Sequence, residues 1–187
     1  MTTAFVSSAF TSSFAYAGVM EISASYGTHA SYIDQNNYTT DQSVTASFAW
    51  YFINQSALEL SYTDGFGSQS LESTGDPTGK TVYYQKAQMV GLDLVYSLLP
   101  GTATIQPFIR AGGAYLFKKY YEQFYNGEID QYGQTVNTYV PSYGGGVNIH
   151  ITESFGIKLS YDRWESGVWD QSSIWDDAFR VGVSWFF

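Results

Sequence analysis

Cysteine is absent from this 187-residue chain. That excludes disulfides, thiolate metal sites and a cysteine nucleophile, and it leaves the redox compartment open, since an exported fold need not use bridges. Charge is scarce as well. Only 13% of the residues are Asp, Glu, Lys or Arg, against about 25% in an ordinary soluble domain. Bases are fewest: eight Lys and Arg stand against 17 Asp and Glu, a formal net charge of −9, so the basic face that nucleic acid requires is missing. There is also no run of about 18 or more apolar residues, which excludes a membrane-spanning helix. If the chain crosses a bilayer, it must do so as a closed barrel.

Aromatic residues are what the chain has in excess, 19% of it, including 17 Tyr. Residues 1–17, MTTAFVSSAFTSSFAYA, carry no charge, and Ala15-Tyr16-Ala17 has the small-x-small form of a signal-peptidase site, although a basic n-region is missing. We read them as the remnant of an export signal or a flexible N-terminal segment. Residues 18–187 are read as one domain, long enough to bury a core without staples. Period-two alternation with β-branched and aromatic enrichment predicts strands over about 18–31, 43–53, 57–66, 82–97, 104–119, 138–151, 155–164 and 177–187. Tight turns at INQSA, LPGT and TES alternate with long polar stretches at 33–42, 67–81, 120–137 and 165–176. An up-and-down meander then collects the short connections at one end and the long ones at the other, as outer-membrane barrels do.

One face of these strands is apolar, with Met20, Ile22, Phe48, Trp50, Leu60, Leu92, Leu94, Ile109, Ile157 and Leu159. The other interleaves Glu21, Glu59, Asp93, Arg110, Lys158, Asp162 and Arg180 with small residues such as Ser23, Ser47, Gly91, Gly112, Gly144 and Ser184. Alternation does not say which face is inside, because a lipocalin-like soluble barrel would turn the apolar one inward. Residue size does. A wetted strand has no steric need of Gly, Ser and Ala, and Gly weakens strand interiors. The narrow lumen of eight strands, by contrast, needs small residues around a few long ones. The aromatics agree: Trp50, Phe52, Tyr96, Phe155, Trp185 and Phe187 fall near the short turns. Tyr26, Tyr62, Tyr84, Tyr115, Tyr143 and Tyr161 fall toward the long connections, which makes two interfacial belts. The expected fold class is all-β, an eight-stranded antiparallel up-and-down transmembrane β-barrel.

The closing stretch FRVGVSWFF, with Phe179, Val181, Val183, Trp185 and Phe187 on its apolar face, resembles the C-terminal signature that the barrel-assembly machinery recognises. WYFINQSALELSY resembles a strand, periplasmic turn and strand of the small eight-stranded outer-membrane superfamily that includes OmpX, OmpW and the transmembrane domain of OmpA. IQPFIRAGGAYLF resembles its fifth strand. The resemblance runs from about Gly18 to Phe187 and implies export, a Gram-negative outer membrane and a closed barrel. It also implies outer-membrane lipid, lipopolysaccharide and the assembly machinery as partners, but it does not supply a function. No peptidoglycan-binding domain of the kind OmpA carries is expected, and the chain is expected to act as a monomer.

The strongest constellation is the lumen set, in which Glu21, Glu59, Asp93 and Asp162 face Arg110, Lys158 and Arg180. An unpaired charge in a confined interior costs several kcal/mol, so the expected role is a hydrogen-bonded plug rather than an ion path. The long connections hold ten of the 17 acids, Asp41 and Asp176 among them, against Lys80 alone, and Asp177 follows directly. That is expected to be a solvated acidic rim, where an unidentified surface ligand would bind. Lys86, Lys118, Lys119 and Arg163 sit near the outer strand ends, as contacts for lipopolysaccharide phosphates. No catalytic, metal or cofactor site is expected: His29, near Ser31 and Asp34, and His150 fall at opposite ends, and no spacing matches a calcium loop. Lipid A deacylases of this superfamily use a His and a Ser near the outer rim, whereas YDRWESG offers no His. The expectation is a non-enzymatic structural or surface-recognition barrel. An OmpW-like conduit for small hydrophobic molecules, a lipid A-modifying enzyme and a soluble ligand-binding barrel are the alternatives.

Overall fold

The computed structural model describes residues 19–32, 38–72, 80–123, 129–131, 135–169 and 172–187; the segment 1–17 lies outside them. Among the described residues nine strands form. They are β1 (Met20–Tyr32), β2 (Tyr38–Ile53), β3 (Ser56–Glu72), β4 (Lys80–Ser97), β5 (Ile105–Gln123), β6 (Ile129–Gln131), β7 (Val136–His150), β8 (Phe155–Trp169) and β9 (Ser172–Phe186). β6 is only a short antiparallel addition to Tyr121–Gln123 at the loop-side end of β5. The other eight pair antiparallel in chain order, β5 next to β7, and β1 pairs with β9 to close the cylinder. The chain is therefore an all-β, eight-stranded, antiparallel up-and-down closed barrel.

The three tight connections lie where the turn chemistry put them, and in the first of them Gln55 takes the left-handed conformation at φ 71°. The long connections are shorter than the polarity of the sequence suggested. β2 begins at Tyr38, β3 runs to Glu72, β5 to Gln123 and β8 to Trp169, so the sheet continues well beyond the alternating region. Beyond the apolar belt both faces are wetted, and a strand there needs no period-two pattern to satisfy its ladder. Asp41, Glu122, Glu165 and Asp176 consequently stand on strands rather than in loops.

The cylinder is inverted relative to a soluble barrel. Adjacent Glu59 and Leu60 are 1% and 53% exposed, and the same contrast repeats around the wall. Trp50, Tyr96, Trp185 and Phe187 are outward at the short-turn end. Tyr26, Tyr62, Tyr115, Tyr143 and Tyr161 are outward at the other. Inside, neighbouring backbones come so close that a Cβ on Gly112 would collide with the Leu92 carbonyl, and one on Gly146 with the Leu159 carbonyl. Small residues are a condition of closure at those positions.

Placing an arginine on the apolar exterior tests the inversion. Leu92→Arg is expected to destabilise folding into bilayers by roughly 2–4 kcal/mol, as at lipid-facing sites near a bilayer midplane. Loss of the heat-dependent gel shift at lower denaturant would register it. A neutral result would mean that the faces are reversed.

Candidate functional site

The interior is built in layers. At the short-turn end Tyr51, Val95, Phe108 and Phe186 pack with Ala49 and Ala57 into an apolar floor. The Tyr51 hydroxyl leaves that floor and donates to Glu21 Oε2 at 2.8 Å. Above it lie the charges. Lys158 Nζ bonds Glu21 Oε1 at 3.2 Å and Glu59 Oε2 at 2.7 Å, and Arg110 Nη1 donates to Glu59 Oε1 at 2.7 Å. The second Arg110 Nη meets Asp162 Oδ1 as an ion pair without hydrogen-bond alignment. Arg180 Nη1 and Ser160 Oγ both donate to Asp162 Oδ2. Read in order, Glu21, Lys158, Glu59, Arg110, Asp162 and Arg180 alternate in sign from strand to strand. Asp93 stands beside this series and accepts from Ser142 Oγ at 2.7 Å.

All seven lumen residues of the sequence analysis thus face inward, six of them buried and Arg110 11% exposed at its side chain. The cations also lie over rings, Lys158 Nζ 5.3 Å from the Phe108 centroid and Arg180 Cζ 5.5 Å from that of Trp164. Arg180 Nε and Nη2 have no protein acceptor among the described residues. That side chain lines an internal cavity of about 10 Å3 with Asp93, Arg110, Ser142 and Asp162. A second apolar layer follows, Met89, Ala114, Leu116 and Val140, with Ala87 and Trp164 packed against it. Small size and charge mark the rest of the interior, and these large inward residues carry neither mark. Strict parity finds them: Tyr115 outward requires Leu116 inward, and Trp185 outward requires Phe186 inward.

Parity also corrects one residue of the expected lipid-phosphate set. Lys118 is 5% exposed and points into the mouth of the barrel, where its Nζ bonds Asp176 Oδ2 at 3.1 Å. Lys119 and Lys86 do face outward, directly opposite each other on β5 and β4. Arg163 is also outward, its Cζ 5.6 Å from the Trp175 ring. Phe179, Val181, Val183, Trp185 and Phe187 are all exposed on the outer wall. His29 Nδ1 lies 3.9 Å from Asp177 Oδ1, Asp34 is outside the described residues, and His150 sits at the floor, its Nε2 3.2 Å from Gln106 Oε1. Among the described residues no three His, Asp or Glu are gathered so as to hold a metal ion.

No protein-family model matches the chain, and no curated protein matches it. Solved structures do match. OprG, an outer membrane protein of Pseudomonas aeruginosa, superposes with a TM-score of 0.64 at 15% identity, over 91% of this chain and 96% of that one. The N-terminal β-barrel domain of OprF from Pseudomonas aeruginosa gives 0.60 at 18% identity, over 91% and 98%. Neisserial surface protein A gives 0.59 at 14%, again over 91% and 98%. The chain folds as a small transmembrane β-barrel. Identities this low carry the architecture and not the activity.

Two mouth residues lie loopward of the exposed tyrosines, Asp41 three positions past Val44, the partner of Tyr26, and Lys118 three past Tyr115. Burial raises the Asp41 carboxyl above the usual aspartate range, and the bond that Gln85 Nε2 donates to it at 2.7 Å offsets only part of this. Burial opposes the charge on Lys118, but Asp176 outweighs it and holds the ammonium above the ordinary lysine value. A raised carboxyl binds its proton more tightly folded than unfolded, so Asp41 adds stability as pH falls toward about 4 and withdraws it as pH rises. Asp41→Asn is expected to raise the unfolding midpoint in detergent at neutral pH and to flatten its acid-side dependence. Midpoints that keep the wild-type pH profile would contradict this.

Proposed function

We propose that the protein is a non-enzymatic outer-membrane barrel, shut by its own side chains, whose acidic, tyrosine-rich loop end meets a partner at the cell surface. The observation that carries this reading is the sign-alternating series from Glu21 to Arg180, which spans the lumen between two apolar layers. A wide aqueous path needs charges that stay hydrated; these are bonded to one another. The outer-membrane location and the assembly role of the outward Phe179-to-Phe187 face rest on the fold shared with OprG, OprF and Neisserial surface protein A.

Planar-bilayer recording of the full chain should give no sustained conductance, and stable open steps would overturn the plug. Lys158→Met would leave Glu21 and Glu59 confronting each other. It should cost about 3–5 kcal/mol, as removal of one partner from a buried pair does, and chemical unfolding in micelles would measure it. Lipid A from cells with and without the protein should have one mass spectrum; a shifted acyl pattern would reinstate the enzymatic reading.

A second reading has one observation in its favour. The β7–β8 ladder ends at Ser142 and Trp164, and the next residue of β7 is Pro141, which has no N–H to offer a neighbour. A small hydrophobic molecule entering from the loop side would meet this seam above the charged layer and could leave sideways, as an OmpW-like conduit requires. Uptake of a hydrophobic solute into proteoliposomes, reduced by Pro141→Val, would favour it over the closed scaffold.

A further inference from the structure

The outward face of the barrel is bulky along the strands, yet at Gly113 of β5 it is bare. The lumen glycines 112 and 146 have no space for a Cβ, whereas a Cβ on Gly113 would meet only the Val140 carbonyl, at an ordinary 3.5 Å. The packing of the chain therefore does not demand a glycine there. What the missing side chain creates is a groove of about 440 Å3 in the outer wall, lined by Leu60, Val90, Leu92, Tyr115, Tyr139 and Pro141. Tyr115 of β5 and Tyr139 of β7 meet edge to face at 4.9 Å at its loop-side end, and Tyr139 is 84% exposed.

Further along the same wall, toward the loops, Lys86 and Lys119 are register partners across β4 and β5. Among the described residues neither has a carboxylate within ion-pair distance. Like charges placed directly opposite in an antiparallel pair repel, so the pair costs free energy until an anion bridges it. Lys119 Nζ lies 5.2 Å from the centroid of Phe117, two residues back along β5, which turns the ammonium toward the groove and away from the loops. From Lys119 to Gly113 is six residues, about 20 Å along a strand. A lipid headgroup, its glycerol and the first part of an acyl chain span that distance.

We propose that this wall seats one phosphate-bearing lipid, with its phosphate between Lys86 and Lys119 and an acyl chain in the Gly113 groove. The seat rests on the reading of the barrel as membrane-embedded. Charge selects the class: two ammonium groups make strong charge-assisted bonds to phosphate oxygens, which a neutral glyceride cannot return. The groove selects the anchor, because a free phosphate leaves it empty.

Native mass spectrometry of the full chain, folded in detergent and titrated separately with dimyristoyl phosphatidic acid, dimyristoylglycerol and inorganic phosphate, tests both halves. One phosphatidic acid should be retained, the diglyceride should bind at least about tenfold more weakly, and inorganic phosphate should not be held. Lys86→Gln combined with Lys119→Gln should weaken phosphatidic acid about tenfold and leave the diglyceride unchanged. Gly113→Leu, or Gly113→Ala if the larger side chain impairs folding, should weaken both lipids while the heat-dependent gel shift persists. Equal retention of acid and diglyceride, an unaffected double variant, or retention of inorganic phosphate in place of the lipid would overturn the seat and leave the barrel standing. A wild-type chain that forms no heat-modifiable barrel would overturn the membrane reading and the seat together.

Discussion

An eight-stranded cylinder is only as wide as the side chains that fill it, and in hydrocarbon its backbone can bond to nothing but itself. Closure is therefore the constraint on which the other features depend. β1 and β9 meet in register from Glu21 with Phe186 to Thr28 with Phe179. Met20 and Phe187 complete the seam with a reciprocal pair of backbone bonds at 2.9 and 3.0 Å. Once closed, the sheet has one face toward lipid and one toward a shaft without room for bulk water. The outward residues can then be large and apolar without penalty. The inward ones must interlock.

Interlocking explains why the charged layer can exist at all. Each cation in the middle of the barrel lies between carboxylates, Lys158 between Glu21 and Glu59, Arg110 between Glu59 and Asp162. Surrounding apolar layers lower the local dielectric, which strengthens these pairs and raises the cost of losing a member. The small polar residues fill the intervals: Ser23 with Ser47 at 2.7 Å, Thr45 with Thr63 at 2.8 Å. The network is thus as much a packing element as an electrostatic one, and its alternation in sign lets six ionised groups share one confined space.

Fold and inversion were legible in the sequence because they have short-range signatures. Period-two alternation marks a half-buried strand, and the contrast between Leu58, Leu60 or Leu94 on one parity and Gly91, Gly112 or Ser61 on the other states which side is cramped. The inward charges were legible for the same reason. Two things were not. Strand length beyond the belt leaves no trace in polarity, since Asp41 and Asp176 read as loop residues yet stand in ladders. The partners of each charge were also hidden, because Glu21 and Lys158 lie 137 residues apart and only the closed register brings them together. Lys118 shows the limit most clearly. Position near a strand end placed it with Lys119, while the parity of β5 turns it the other way.

That inward turn has a structural purpose at the mouth. β9 loses β1 beyond Thr28 and Phe179, and β8 loses β7 beyond Ser142 and Trp164. Among the described residues the upper halves of β8 and β9 consequently share ladder bonds only with each other, as a hairpin. Side chains supply what the ladders do not. Lys118 reaches from β5 across the opening to Asp176, and His29 of β1 faces Asp177. Tyr161 donates to the same Asp177 at 2.8 Å from within the hairpin. Acids on β9 that look like part of a generic rim are in this way what ties the hairpin to β5 and β1. The division of labour among the lysines follows from it: Lys118 serves the mouth, and Lys86 and Lys119 remain on the wall facing the membrane.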